Sequence, residues 1–144
     1  AKLGLLNEEE GDYELAQNLF SWMENAKVDF TGTFRDLSYE NLSDKDIYNS
    51  PDFKKWYNSW QARLSRNSKP IKSAFSMMRK CNPVIVPYNH FVEEALIAAE
   101  VGDMQPFYKL LSALEKPFEF SSSKEVFLNS PVNPNPHYQT FCGT

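Results

Sequence analysis

The segment Ser50–Leu64, SPDFKKWYNSWQARL, carries the clearest helix signal in the chain. Its first two residues mark a helix start, because Ser is a preferred N-cap and Pro is favoured at the first helical position. Large apolar side chains then recur at helical spacing on one face: Phe53, Trp56, Tyr57, Trp60 and Leu64. Such a stripe can line a ligand cage, but it more often packs in a core or between domains. We therefore predict a helix whose aromatic face is buried.

Two more helices are predicted upstream. The first has apolar residues at i, i+4, i+7, i+8 and i+11: Leu15, Leu19, Trp22, Met23 and Ala26. We assign Asp12 as its N-cap and interpret the acidic run 8–10 as solvated charge at the helix start. The second is short and is entered through Asp29 or Thr31. Its apolar residues are Phe30, Phe34 and Leu37. The polar stretch 38–50 is typical of a loop.

Three helices are predicted downstream. The first of them carries Ile71, Ala74, Phe75, Met77 and Met78. It should end at Asn82, because a residue before proline is pushed out of the α region. After an extended connector, Asn89 is the expected cap of a helix that stops at Gly102, and Asp103 the expected cap of the next. The short link makes these two helices a hairpin. Their predicted inward stripes are Val92, Leu96 and Ala99, then Met104, Phe107, Leu111 and Leu114.

These elements predict an all-α fold. We expect an irregular bundle of about five to six helices that includes the C-terminal hairpin and is followed by an extended, proline-rich tail. The predicted helical domain covers 1–116 and the irregular tail covers 117–144, packed on the domain or trailing from it. With 144 residues and 42% hydrophobic composition, the chain is long enough for one hydrophobic core.

The charge pattern argues against several classes of function. The net charge is −4, and lysine and arginine are not clustered, so no nucleic-acid partner is expected. No apolar run approaches the roughly 20 residues that span a bilayer, so no membrane association is expected. The start has no signal-peptide pattern and no Met, as expected of a fragment of a longer protein or of a processed product. Two cysteines favour a reducing, cytoplasmic compartment.

The common catalytic motifs are absent from the sequence. It has no glycine-rich phosphate loop, nucleophile elbow, zinc-protease motif or kinase signature. The pairs Cys81 with His90 and His137 with Cys142 each offer two metal ligands, whereas a structural zinc site needs four. We therefore expect no catalytic, cofactor-binding or metal site in this chain. In the first turn of its helix, His90 should be neutral and serve packing or hydrogen bonding.

The two cysteines leave several alternatives open. Cys142 lies third from the end in an aperiodic segment, where an exposed thiol is either inert or available for disulfide exchange. Cys81 ends a predicted helix and should be partly buried. A disulfide between them is possible, but sequence does not fix the distance between their Cα atoms. Otherwise Cys142 pairs with a thiol outside the chain.

Three blocks carry a resemblance to a known family. They are Lys2–Leu5 (KLGL), Asn82–Leu96 (NPVIVPYNHFVEEAL) followed by Gly102–Asp103, and Thr140–Thr144 (TFCGT). In order and spacing they resemble the C-terminal region of the selenoprotein O family, called YdiU in bacteria. The resemblance spans nearly the whole chain.

The resemblance implies a parent enzyme. Family members look like protein kinases with an altered nucleotide pose, and transfer AMP from ATP to protein hydroxyl groups with Mg²⁺ or Mn²⁺. Their kinase-like domain lies N-terminal to the region matched here. The chain would then be a non-catalytic helical domain in the bacterial cytoplasm. Its expected partners are the upstream kinase-like domain of the same protein and the protein substrates of the parent.

The resemblance also suggests roles for individual residues. Selenoprotein members carry selenocysteine near the C-terminus, and Cys142 occupies that position as a redox or regulatory group. This favours pairing with a thiol outside the chain, with Cys81 as the possible second thiol otherwise. Members often have Arg where this chain has Tyr88, and we expect Tyr88, Asn89 and His90 to contact the kinase-like domain.

Two other functions compete with this interpretation. One is a free-standing helical interaction module, in which Phe53, Trp56 and Trp60 line an exposed groove. The other is a small thiol oxidoreductase, which the lack of a C-x-x-C motif disfavours.

Overall fold

The computed structural model describes residues 1–42 and 45–128, and over these ranges it contains helices and no strand. The predicted all-α fold is therefore confirmed. The six α-helices are α1 (Asp12–Ala26), α2 (Phe30–Tyr39), α3 (Pro51–Leu64), α4 (Ile71–Cys81), α5 (Asn89–Glu100) and α6 (Gln105–Leu114). Two 3₁₀ helices accompany them, η1 (Asp46–Asn49) and η2 (Ser122–Phe127).

Helices α1–α4 with η1 form the larger region, which we call the bundle. Helix α1 packs on α3, α2 packs on α4, and η1 packs on α3. The aromatic face of α3 is buried at the centre, as predicted, and the rings of Trp56 and Trp60 stack with centroids 5.7 Å apart. Ser50 caps α3 by accepting a hydrogen bond from the Phe53 amide, and Pro51 is its first residue. The helix-start signal is thus confirmed.

The N-terminal segment lies on the bundle outside any helix and is bound to it by side-chain donors. The indole Nε1 of Trp60 donates to the Leu3 carbonyl at 2.9 Å. Asn67 donates to the Gly4 carbonyl at 2.9 Å, and Asn82 donates to the Lys2 carbonyl at 2.8 Å. Because these carbonyls have no helix partner, the bonds stabilise the path of the segment.

Helices α5 and α6 with η2 form the smaller region, which we call the hairpin region. Helix α5 packs on α6, and α6 packs on η2. Its buried residues are Ile85, Ala95, Leu110, Ala113 and Phe127. Gly102 turns the chain between the helices with a φ of 89°, which confirms its predicted role at the end of α5. Because Phe127 is buried here, the part of the predicted tail that the structure describes packs on the helices.

Contacts from Asp29, Arg35 and Tyr39 join the regions, and the Tyr39 hydroxyl donates to the Phe118 carbonyl at 3.4 Å. Arg35 of α2 is buried, and its Nη1 donates to the Leu128 carbonyl at 2.9 Å and to the Val84 carbonyl at 3.4 Å. The Tyr88 hydroxyl donates to the carboxylate of Asp29, at the start of α2, at 2.6 Å.

Three predictions at helix starts were wrong. Gly11, not Asp12, is the N-cap of α1, because the Asp12 carboxylate instead accepts from the Glu9 amide and binds Arg63. The acidic run is not merely solvated, since Glu9 forms ion pairs with Arg63 and Arg66. Asn89 is the first residue of α5, and its cap position is held by extended Tyr88.

A fourth prediction was also displaced by one residue. Met104, not Asp103, is the N-cap of α6, although Asp103 Oδ1 accepts from the Gln105 amide at 3.0 Å. The start of α2 agrees with the sequence, since Asp29 caps it by accepting from the Gly32 amide. The loop predicted over 38–50 is shorter than expected. Helix α2 continues to Tyr39, and 46–49 form η1. Ser38 fits inside the helix because its hydroxyl donates to the Phe34 carbonyl and is not left unpaired.

The apolar stripes of the hairpin were predicted correctly only in part. Val92 and Leu114 pack on the core, as expected, together with buried Ala95, Leu110 and Ala113. Leu96, Met104, Phe107 and Leu111 were predicted to face inward but are exposed. Ile71 of α4, also predicted in a stripe, is exposed as well.

Candidate functional site

The hairpin carries the largest group of exposed apolar side chains on neighbouring elements. On α6 the exposed stripe is Met104, Phe107, Tyr108 and Leu111, at i, i+3, i+4 and i+7. On α5 and its end the exposed apolar residues are Leu96, Ile97 and Val101. Together they form what we call the outer face. Their exposed fractions run from 36% at Phe107 to 83% at Val101. Exposed apolar side chains on two helices that pack together favour an interaction site.

Acidic residues lie among the apolar residues of the outer face. Glu93, Glu94 and Glu100 of α5 are exposed, and so is Asp103 in the turn. Glu93 and Glu100 share one side of α5 with Leu96 and Ile97, because the four residues stand at i, i+7, i+3 and i+4. Lys109 is the only lysine or arginine between Asn89 and Leu114, all of which the structure describes. A partner surface would therefore pair best if it were apolar and also carried basic side chains.

The predicted contact residues before and within α5 are largely occupied inside the chain. Tyr88 is half-buried, and burial together with its bond to Asp29 raises its pKa above the ordinary value of 10.0. His90 is half-buried and packs its ring against Phe91, with centroids 3.8 Å apart, as expected of a packing residue. Asn89 alone of the three is exposed.

The structure places one of the two predicted thiols. Cys81 is the last residue of α4 and is half-buried, as predicted, and its carbonyl accepts from Lys2 Nζ at 3.3 Å. Cys142 lies outside the described residues, so its redox role and its pairing stay predictions.

Arg63 is a buried cation that is fully engaged by its neighbours. Its Nε donates to Asp12 Oδ1 at 2.6 Å, its Nη2 donates to the Asn7 carbonyl at 2.5 Å, and Glu9 lies 3.3 Å from Nη1. The hydrogen bond from Arg63 holds the pKa of Asp12 below its ordinary value of 3.8. This network joins α3 to the start of α1 and has a structural function.

Asp36 is the second buried centre of charge. Its carboxylate accepts from the Tyr48 hydroxyl at 2.7 Å and from Lys45 Nζ at 2.5 Å, and Arg35 lies 3.4 Å away. Burial, and then the charge of Asp36, raise the pKa of Tyr48 above its usual value. A surface depression of about 630 Å³ opens beside it, lined in part by Tyr39, Phe120 and Glu125. Because the acid and its donors satisfy one another, this cluster braces α2 and η1.

Within 1–42 and 45–128, no group of three or more His, Cys, Asp or Glu residues is arranged to hold a metal ion. Among the helices described, none is both long and apolar enough to cross a membrane.

The outer face defines a helical protein region with an uncovered interaction surface, and comparison with known proteins gives its family. The family model described as "Protein adenylyltransferase SelO" matches residues 1–115, so the chain belongs to the SelO family. The resemblance predicted from the three sequence blocks is thereby confirmed.

Relatives named "Protein nucleotidyltransferase YdiU" match over nearly the whole chain. The protein of Bacillus thuringiensis (strain Al Hakam) is 44% identical over 144 residues, covering 99% of this chain and 30% of the relative. That of Bacillus mycoides (strain KBAB4) is 45% identical with the same coverage, and that of Bacillus anthracis is 44% identical, again with the same coverage. The chain thus spans about 30% of the length of these relatives.

Sequence reasoning missed the outer face, although a signal for it was present. Ile97, Val101 and Tyr108 are apolar residues that fall outside the inward stripes assigned to α5 and α6. A helix that is apolar on more than one side is normally covered on more than one side. The extra apolar residues therefore predicted a second contact surface.

Proposed function

We propose that this chain is the non-catalytic, helical C-terminal part of a longer nucleotidyltransferase that transfers AMP from ATP to hydroxyl groups of target proteins. The observation that carries this proposal is the match along 99% of the chain to relatives named nucleotidyltransferases, of which it covers only 30%. The described charged clusters at Arg63 and Asp36 support it, because their groups are engaged in structural bonds.

The role proposed for the chain is support of an upstream kinase-like domain. That domain would bind ATP with Mg²⁺ or Mn²⁺ and receive the protein substrates. The parent would act in the bacterial cytoplasm, in keeping with only two cysteines in the chain.

The proposal is tested by assaying AMP transfer to protein with labelled ATP and Mg²⁺. The full-length parent is expected to label protein, and the 144-residue chain alone is expected to label none. Turnover by the chain alone, or a parent that transfers no nucleotide, would refute the proposal.

We further propose that Cys142 regulates the parent by forming a disulfide. Two thiols lose two electrons and two protons to an oxidant such as a small-molecule disulfide, which is reduced to two thiols. The family resemblance favours a second thiol outside this chain, and Cys81 is the alternative within it.

Single substitutions separate these pairings. AMP transfer by the parent is measured after oxidation and after reduction, for the unaltered protein, Cys142→Ser and the matched control Cys81→Ser. If the second thiol is external, only Cys142→Ser removes the difference between oxidised and reduced samples. If both variants remove it, the pair is Cys81–Cys142. Equal rates in all oxidised and reduced samples would exclude the redox role.

A free-standing interaction module is the second candidate, but its binding surface differs from the one predicted from sequence. The groove predicted from Phe53, Trp56 and Trp60 is excluded because all three side chains are buried in the bundle. The outer face is the feature that favours a module instead. A reading frame extending roughly 300 residues upstream, enough for a kinase-like unit, supports the nucleotidyltransferase proposal, and a start codon at residue 1 supports the module.

A further inference from the structure

We propose that the outer face of the hairpin is the surface on which the remaining, larger part of the same polypeptide docks. The docking partner is an apolar patch of that part that also carries basic side chains. This inference rests on the proposed function, since it requires a longer parent, and it adds to the predicted contact at 88–90 a larger one on the exposed apolar residues 96–111 of α5 and α6.

Helix α6 carries apolar residues on two sides. Met104, Phe107 and Leu111 recur at i, i+3 and i+7, so they lie on one side of the helix. Leu110 and Ala113 lie on another side and are buried against α5 and η2. Helix α6 therefore has two apolar sides, and the rest of the described chain covers only one of them.

The hairpin region has a small hydrophobic core. Two of its five buried apolar residues are alanines, which contribute little apolar area. Helices shorter than about 12–15 residues are marginal without tertiary packing, and α5 and α6 have 12 and 10 residues. A second packing surface would supply the missing apolar contacts.

The length of the relatives and the charge of the outer face indicate which partner docks there. The relatives named nucleotidyltransferases are more than three times as long as the region matched here, so most of such a polypeptide is available as a partner. A second copy of this chain is a poor docking partner. A symmetric dimer uses the same patch on both copies, so it would bring two sets of acidic residues close together: Glu93, Glu94, Glu100 and Asp103 of each copy.

Of the three residues predicted earlier as contacts, Tyr88 is already bonded within the chain. Its hydroxyl donates to Asp29, so it fixes the start of α5 relative to the bundle and thereby orients the outer face. Asn89 is exposed and the ring of His90 packs on its neighbour Phe91, so a contact of these two residues with the kinase-like domain stays a prediction.

The proposal is tested in the full-length protein by the reactivity of introduced thiols. Leu111→Cys places a thiol on the outer face, and Ser112→Cys places the control thiol next to it; both positions are exposed in this chain. Alkylation is followed for each cysteine-containing peptide by mass spectrometry, so the native cysteines do not interfere. We expect the thiol at 111 to react at least about tenfold more slowly than the thiol at 112.

Equal rates would overturn the proposal, as would a full-length protein that contains nothing beyond this chain. Phe107→Cys against Lys109→Cys repeats the comparison should either first variant not fold. Protection that disappears on dilution, together with a dimer mass by light scattering, would mean that a second copy covers the face, and would also overturn it.

The result is separable from the proposed function. Active AMP transfer with equally reactive thiols refutes only the docking surface. Protected thiols in a protein without AMP transfer refute only the proposed activity.

Discussion

The bundle and the hairpin region differ in how completely they bury apolar side chains. The bundle buries large aromatic ones, with Phe53 2% exposed and Trp60 1% exposed. The hairpin region buries two alanines beside Ile85, Leu110 and Phe127, and leaves Ile97 63% and Leu111 47% exposed. The difference indicates that the bundle completes its core within the chain, whereas the hairpin region is built to be completed by contact with something else.

The largest expected effect comes from truncating matched phenylalanines in the two regions. Phe53→Ala should lower the free energy of unfolding of the chain by about 4 kcal/mol, because it leaves a cavity among packed aromatics. Phe107→Ala should cost less than about 1 kcal/mol, because its ring is exposed. Chemical denaturation measures both. Similar costs for the two variants would remove the contrast between the regions.

The same two variants also test the comparison when their unfolding free energies are measured in the full-length protein. If the outer face is covered there, Phe107→Ala should cost more than it does in the chain alone, while the cost of Phe53→Ala should not change.

Matched glycines give the next effect. Gly4 has a φ of 72°, and a Cβ added there would lie 3.0 Å from Met78 Sδ and 3.1 Å from the Ala74 Cβ. Gly4→Ala should therefore cost about 2–4 kcal/mol through backbone strain and overpacking. Gly102 has a φ of 89° with open space around it, so Gly102→Ala should cost about 1 kcal/mol from strain alone. Thermal or chemical unfolding of the two variants distinguishes these costs, and a cheaper change at Gly4 would contradict the packing described.

The ion pair of the bundle gives a pH-dependent effect. Asp12→Asn should cost about 2 kcal/mol near neutral pH, because it weakens a charge-assisted bond to Arg63. The folded-state pKa of Asp12 lies below its ordinary value of 3.8, so the stability it adds is present above that value. This stability is lost as the pH falls through the folded-state pKa.

Unfolding free energies of the unaltered chain and the variant, measured at about pH 7 and about pH 3, should therefore converge at the lower pH. A gap that is constant or widens in acid would show that the carboxylate charge is not responsible.

The smallest effect concerns the contact between the two regions. Tyr88→Phe removes the hydroxyl that donates to Asp29 and should cost about 1 kcal/mol. The neighbouring exposed residue is the control, and Asn89→Ala should change stability by less than about 0.5 kcal/mol. Because the pKa of Tyr88 is raised, its phenol should also ionise above the range of an exposed tyrosine, as followed by ultraviolet absorbance in alkali.

The bundle could be predicted from sequence because its helix signals and its burial agree. Ser50 and Pro51 start α3, Asp29 starts α2, and the aromatic stripe of α3 faces the core. The Arg63 network was not predictable. Asn7 and Asp12 contact Arg63 because the folded chain brings the N-terminal segment next to α3. Sequence spacing does not specify contacts made across such a distance along the chain.

The hairpin shows the limit of periodicity more clearly. The stripe of Met104, Phe107 and Leu111 was correctly recognised as one side of a helix, but its side was assigned to the wrong contact. Periodicity indicates that one side of a helix is apolar and packs against something. It does not indicate which part of the protein makes that contact. The intramolecular contact is made by Ala95, Leu110 and Ala113 together with Val92 and Leu114, the two members of the predicted stripes that do pack on the core.

Amide hydrogen exchange of the 144-residue chain and of the full-length protein tests the central claim most directly. If the hairpin is completed by the rest of the polypeptide, amides of α6 should exchange at least about tenfold more slowly in the full-length protein, while those of α3 should exchange at equal rates in both. Equal exchange of α6 in the two proteins would contradict the account.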